Sequence, residues 1–262
     1  MAMILKGQVA VVTGGGRGIG RAIARRFANE GAAVVVTARS EDEVKQVAGE
    51  IREQGGEAVA VVADVSQEAD CERIVRAARE RFGAIHILVN NAGIYGPVMP
   101  AEKISAREWD EVIAVNLRGP FLLSRLVLPE MYERKSGSIL NITSIAAKAA
   151  FQLNGPYAAS KAGLMGLTHT LAAEGARKGV RVNAISPGPV TETKMSQELG
   201  RRLVEYFQAE PDHMLKQMLE TILQGRPQTA EEIASAALFL VSGQSSAITG
   251  QTLNVDGGMA FY

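Results

Sequence analysis

Cysteine is almost missing. Cys71 is the only one in 262 residues, so no disulfide can form within the chain, and the sequence fits a reducing compartment. Histidine is scarce as well: His86, His169 and His213 are scattered without ligand-like spacing or a cysteine cluster, and no transition-metal site is expected. Charge of neither sign is in excess, since Lys+Arg and Asp+Glu both total 28. That balance lacks the electrostatic footprint of a nucleic-acid or anionic-lipid partner. No uninterrupted apolar stretch reaches the roughly 18 residues of a spanning helix. The opening segment, residues 1–7, lacks a signal peptide's apolar region. These absences predict a soluble, cytoplasmic protein with no membrane partner.

Repeats, low-complexity stretches and linkers are also absent, and what is there is regular. Apolar or β-branched runs at 8–12, 33–37, 58–63, 85–89, 138–143, 180–185 and 252–255 read as strands, with helical patterns between them. This βα alternation predicts an α/β fold built as one doubly wound domain over 1–262, a length such folds reach without splitting.

The first strand runs into Thr13-Gly14-Gly15-Gly16-Arg17-Gly18-Ile19-Gly20 and then a helix at 21–29. Glycines let a ligand approach the backbone, and the unpaired N–H groups of a helix's first turn attract a pyrophosphate. The bland reading is a tight βα connection. The second strand ends at Ala38-Arg39-Ser40, where NAD-binding folds usually carry an acid for the ribose 2′-hydroxyl. Arg39, helped by Arg17, can instead hold a 2′-phosphate, which favours NADP over NAD. The nearby Glu41 and Asp42 have a local explanation, because Ser40 and Glu43 match a capping box and acids suit a first helical turn. Arg39 and Arg17 as mere surface cations is the competing account.

Asp64, after the third strand, can accept a hydrogen bond from an adenine amine, although Asp64 or Ser66 as a helix cap is equally good physics. The fourth strand leads into Asn90-Asn91-Ala92-Gly93, whose small residues let a cofactor lie against the backbone; Asn90 is expected to bridge strands. Tyr95, in the loop at 94–100, offers a substrate wall. Ser105 and Glu108 form another capping box before a long helix at about 110–135, apolar around most of its girth and enclosing the polar Asn116. Residues 190–225 read as two amphipathic helices broken at Pro211, more like a lid than part of a sheet, with their methionines expected in a core. Thr229 and Glu232 cap a last helix to about 241.

The chemistry centres on Asn154-Gly155-Pro156-Tyr157-Ala158-Ala159-Ser160-Lys161. Pro156 suits a first helical position, with Asn154 and Gly155 as possible caps. Tyr157 and Lys161 are then i and i+4 neighbours over one face. A free phenol has a pKa of about 10, and a nearby ammonium favours phenolate. Ser144, thirteen residues before Tyr157, stands at a strand's carboxyl end, where a hydroxyl can hold a carbonyl while a proton moves. A chance surface YxxxK is the alternative.

Taken together these residues resemble the short-chain dehydrogenase/reductase family, in particular its 3-oxoacyl-[acyl-carrier-protein] reductase-like members, and the likeness covers essentially the whole chain. It rests on Thr13-Gly14-x-x-x-Gly18-Ile19-Gly20, Asn90-Asn91-Ala92-Gly93, Asn116, Ser144, Tyr157-x-x-x-Lys161 and Pro187-Gly188, in order. The resemblance implies a Rossmann-type seven-stranded parallel sheet with helices on both faces, a nicotinamide cofactor and a homotetramer. It implies Tyr157 as general acid or base and Ser144 as holder of the substrate oxygen. Lys161 would bind nicotinamide ribose and lower the phenol's pKa, and Asn116 would hold a proton-relay water.

For the cofactor it implies Gly14, Arg17, Gly18, Ile19, Gly20, Arg39, Ser40, Asp64, Val65, Asn91, Ala92, Gly93, Tyr157, Lys161, Pro187, Gly188 and Val190. The relatives' threonine position after Pro-Gly holds Glu192 here, so Thr191 and Thr193 both remain candidates for the carboxamide. Arginine at both Arg17 and Arg39 is the pattern of NADP-preferring members, with NAD still open. Ser144, Ala146, Asn154 and Tyr157 are the expected substrate contacts, and Phe151, Gln152, Pro189 and Met195 are further pocket positions. The expected activity interconverts a small-molecule ketone and a secondary alcohol. A 3-oxoacyl thioester leads, and a sugar or polyol is the alternative; a non-catalytic NADP sensor is the second alternative. The lid is longer than in compact acyl-carrier-protein reductases.

Overall fold

Apolar runs become strands covered on both faces because successive side chains point to opposite sides. In β1 (Val9–Thr13), Ala10 and Val12 enter one core and Val11 the other; in β2 (Ala33–Ala38), Val34 and Val36 part from Val35 in the same way. This computed structural model describes residues 3–262, so Met1 and Ala2 of the opening segment lie outside the described residues. Between and after these strands come α1 (Gly18–Asn29), α2 (Glu41–Glu53), β3 (Glu57–Val62), α3 (Glu68–Phe82) and β4 (Ile87–Asn90). Then follow α4 (Ala106–Ile113), α5 (Gly119–Arg134), β5 (Gly137–Ile142), α6 (Gly155–Gly175) and β6 (Val180–Pro187). The chain ends with α7 (Lys194–Phe207), α8 (Pro211–Glu220), α9 (Ala230–Val241) and β7 (Thr252–Val255).

The strands form one parallel sheet in the order β3-β2-β1-β4-β5-β6-β7. It is the Rossmann-like sheet that the resemblance implies. One apolar layer joins α1, α2 and α9 to it through Ile23, Phe27, Val47 and Ile233; the other joins α3, α5 and α6 through Ile74, Leu123, Val127 and Leu171. Strand order reverses direction between β1 and β4, and a crevice opens there at the strands' carboxyl ends. Thr13 ties its floor: Oγ1 donates to Val89 O at 3.2 Å and accepts from the N–H groups of Asn91 and Ala92, each at 3.0 Å. Asn90 bridges β4 to β5 as expected, donating to Asn141 Oδ1 at 2.9 Å.

Several local expectations need correction. The helix expected at 110–135 begins at Ala106, behind the capping box of Ser105 and Glu108, and is interrupted by a π-helical segment at Ala114–Arg118. Pro120 has no N–H to offer the carbonyl four residues back, so the regular ladder fails there and the backbone takes the wider turn. Ser40 stands at the N-cap of α2 without making a capping bond, because Glu43 turns to Arg17 and Lys194 instead. Neither Asp64 nor Ser66 caps α3; Gln67 holds that place, while Asp64 Oδ1 accepts from Ser66 N at 2.9 Å and Ser66 Oγ at 2.8 Å.

Among the described residues, Ala106–Arg134 is the one helical run long and apolar enough to cross a membrane by length and composition. Half of its most apolar window is buried inside the protein, against α3 and the sheet.

Candidate active site

The crevice is a cavity of about 830 Å3 running from the glycine turn to the lid. Its floor could not carry side chains: a Cβ on Gly20 would lie 2.2 Å from Gly14 O, and one on Gly14 2.8 Å from Asn91 Nδ2. Gly14 also has a φ of 62°, which side chains rarely adopt. At its far side α1 begins without a side-chain cap and, unlike the equally uncapped α2 and α3 and the capped α4 and α9, without an acid in its first turn. Uncapped N–H groups facing a groove of bare backbone fit a pyrophosphate. That chemistry, with the close glycine contacts, shows that these residues suit a dinucleotide.

The catalytic candidates share one wall. Pro156 sits in the first turn of α6 and Asn154 at its N-cap, though the Asn154 side chain makes no capping bond and serves the Tyr95 phenol instead. Tyr95 stacks on Tyr157, with ring centroids 4.6 Å apart at 27°. Lys161 Nζ donates to Ile142 O at 2.8 Å and lies 5.7 Å from the Tyr157 ring centroid. Burial pushes Tyr157 up to about 12, opposed by the Ser144 hydroxyl and reinforced by Tyr95. Burial also pushes Lys161 down to about 8. Loss of water around the two groups disfavours the charged form of each, and the Lys161 ammonium is engaged with a backbone carbonyl.

Asn116 does not line the cavity. Its amide, fully buried in the π segment, donates to Ile94 O at 2.9 Å and Ser160 Oγ at 3.0 Å, and accepts from Ile94 N at 2.9 Å. Asn116 and Lys161 nevertheless meet at Gly93, where a Cβ would lie 3.3 Å from Asn116 Oδ1 and 3.5 Å from Lys161 Nζ.

The other expected residues divide clearly. Gly14, Arg17, Gly18, Ile19, Gly20, Arg39, Ser40, Asp64, Val65, Asn91, Ala92 and Gly93 line the cavity. So do Ser144, Ala146, Asn154, Tyr157, Lys161, Pro187, Gly188, Val190 and Thr193. Thr191 does not. Thr193 caps α7 by accepting from Ser196 N at 3.2 Å, and its methyl lies 3.1 Å from where a Gly18 Cβ would be. Glu192 turns away, accepting from Ala230 N at 2.7 Å.

Sequence reasoning missed the lid's inner face. Met195, Met214 and Met218 line the cavity with Leu199, Leu203 and Phe207, and no residue of α7 or α8 is buried. Met195 was among the expected pocket positions, but the lid's methionines as a group were expected in a core; an apolar stripe carries no mark of whether protein or a ligand covers it. Glu43 and Lys194 were missed too, because their pairing joins residues 151 apart. Among the described residues, no group of three or more His, Cys, Asp or Glu side chains is placed to hold a metal.

A parallel sheet with a dinucleotide crevice, a buried Tyr and Lys and a half-buried Ser beside it defines a nucleotide-dependent oxidoreductase. The chain belongs to the short-chain dehydrogenase/reductase family: the family model described as Enoyl-(Acyl carrier protein) reductase matches residues 14–260. It is an NAD(P)-dependent oxidoreductase of that family. A 3-oxoacyl-[acyl-carrier-protein] reductase of Synechocystis sp. is 40% identical over 260 residues, covering 98% of this chain and 99% of the relative. Glucose 1-dehydrogenase 2 of Bacillus subtilis is 38% identical over 266 residues, covering 98% and 96%. A crystal structure of a variant actinorhodin polyketide ketoreductase with NADPH superimposes with a TM-score of 0.93 at 36% identity, covering 97% of this chain and 98% of that one.

Proposed function

We propose that the protein reduces the ketone of a bulky, largely apolar substrate with NADPH, a 3-oxoacyl thioester being the leading case. The carrying observation is how polarity divides along the cavity. Apart from Lys161, its charged linings, Arg17, Arg39, Glu43, Asp64 and Lys194, lie toward the nucleotide end. The lid end carries no charged side chain and is lined chiefly by Tyr95, Phe151, Met195, Leu199, Leu203, Phe207, Met214 and Met218, with Gln152, Asn154, Ser196, Gln217 and Thr221 as its uncharged polar residues. A polyol would bring several hydroxyls to a wall with few partners for them, and each unpaired group there costs free energy. An acyl chain or ring system gains from that same wall. The NADP reading is supported by Arg39 and Ser40 at the end of β2, in the groove. Arg39 is exposed and has no bonded partner among the described residues, while Glu41 pairs with Lys45 at 2.6 Å and does not line the cavity.

In the proposed reaction the nicotinamide ring, when bound, supplies hydride to the carbonyl carbon. Tyr157 gives its Oη proton to the carbonyl oxygen, which Ser144 Oγ holds, and Tyr95 shields the pair from water. Lys161 steadies the phenolate that forms and reaches nicotinamide ribose; Asn116 holds Ile94 and Gly93 in place beside it, where a relay water would be bound. Asp64 and Val65 would border the adenine, Pro187, Gly188, Val190 and Thr193 the carboxamide, and Ala146 and Asn154 the substrate, all of them lining the cavity. The chain works in this account as one cofactor-binding and catalytic unit with 190–225 as its lid. A cytoplasmic setting remains our reading from the lone Cys71.

The test is a panel run with NADPH and NADH: acetoacetyl and longer 3-oxoacyl thioesters, bulky apolar ketones, and polyols in the oxidative direction. Thioesters or apolar ketones with NADPH should give the highest kcat/KM. Polyol turnover at or above theirs overturns the substrate reading. In the same assays Tyr157→Phe should lose at least about a hundredfold in kcat while still binding cofactor.

A further inference from the structure

We propose that the Glu43 carboxylate stands in for the cofactor's 2′-phosphate, and that Lys194, at the base of the lid, is a specificity-determining residue that leaves Glu43 to bind that phosphate. This rests on the dinucleotide reading of the groove and goes beyond the pair Arg17 and Arg39.

Glu43 Oε1 accepts from Arg17 Nη1 at 3.3 Å and from Lys194 Nζ at 3.1 Å. One carboxylate thus gathers a cation from the glycine turn and another from the first residue of α7. The three segments are fixed against each other at backbone level. A Cβ on Gly16 would lie 2.8 Å from Glu43 Cβ, and one on Gly18 would lie 3.1 Å from the Thr193 methyl. The charged heads, by contrast, face water: the Arg17 and Lys194 side chains are 59% and 69% exposed. They can change partner without moving the backbone.

Charge says which partner they would take. This end of the groove holds Arg17, Arg39 and Lys194 against two carboxylates, Glu43 and Asp64, an excess of positive charge with Arg39 still unpaired among the described residues. A phosphate carries close to two negative charges and three acceptor oxygens, and arriving beside Arg39 it repels Glu43 and competes for both cations. Glu43 is partly exposed and can turn outward into water. A 2′-hydroxyl carries no charge, so with that ligand Glu43 keeps Arg17 and Lys194. The exchange discriminates between the two nucleotides from a lid residue.

Adenosine 2′,5′-bisphosphate and adenosine 5′-monophosphate differ only by the 2′-phosphate, and their binding by calorimetry needs no turnover. Lys194→Met should weaken the bisphosphate about fivefold and leave the monophosphate unchanged; Glu43→Gln should strengthen the bisphosphate about twofold, both effects shrinking at high salt. Equal changes for both ligands, or no change in the Lys194 variant, overturn the proposal. Both side chains are solvent-facing, so unchanged thermal midpoints are expected and serve as the folding control. A wild type that prefers the monophosphate would remove the NADP reading by itself. A bisphosphate-specific loss in Lys194→Met would still uphold the exchange.

Discussion

Tyr157 and Lys161 show how far a pair of letters reaches. Their sharing of one helical face follows from spacing alone, and the structure keeps it: the ammonium lies 5.7 Å from the phenol ring. Which way each pKa moves depends on burial that no local pattern reveals, and the Tyr95 ring stacked on the phenol from one loop adds to it at Tyr157. Burial dominates both, and it leaves a protonated phenol, the form that reduction consumes. The lysine gives a test. Its folded pKa of about 8 lies below the ordinary 10.5, so between these values the unfolded chain holds more of this proton than the folded one. Stability from this group therefore rises with pH across that window, and the folded state is penalised most below about 8. Urea denaturation of wild type and Lys161→Met at neutral pH and near pH 10 should show the wild type gaining relative to the variant. A constant difference would mean that Lys161 titrates as a solvated lysine.

Elements were legible where one signal decided them and illegible where two competed. The capping boxes at Ser105 and Thr229 formed as expected, each with both reciprocal bonds. At Ser40 the same pattern failed, because two cations hold Glu43 more strongly than a backbone N–H does. The break at Pro211 was readable, as were the two amphipathic helices on either side of it, yet whether their methionines meet protein or a ligand was not. The π segment had a readable cause in Pro120, but its purpose emerges only from the partners it presents to Asn116. Replacing that amide by a methyl group leaves Ile94 N, Ile94 O and Ser160 Oγ to find new partners in a buried place. Asn116→Ala should therefore lower stability by about 3 kcal/mol, read by chemical denaturation. A loss under about 0.5 kcal/mol would mean that water replaces the amide freely.

At the scale of the whole molecule, the strand count follows from the βα alternation, and the Rossmann-type sheet came with the family resemblance; the alternation and the crossover rule alone leave several strand orders open. What surrounds the molecule was less so. The long apolar helix was expected to have protein on two sides; the sheet and α3 supply one and α6 part of another, and the rest of its girth stays bare. Trp109 and Phe121 remain 41% and 45% exposed on α4 and α5, and beside them α6 shows Ala162 and Gly166 at its surface. Large apolar side chains next to small ones on a neighbouring helix form a surface that another helix pair can approach closely, and a two-fold axis would bury the same patch on both partners. We read this face as a subunit interface of a homotetramer. A carboxylate placed at its centre would have to be desolvated without a partner. Phe121→Glu should therefore split the assembly into smaller species in sedimentation velocity while leaving the far-ultraviolet dichroism of the subunit intact. A wild type that sediments as a monomer at micromolar concentration removes the interface. A tetramer unchanged by Phe121→Glu moves it to another face, away from α5.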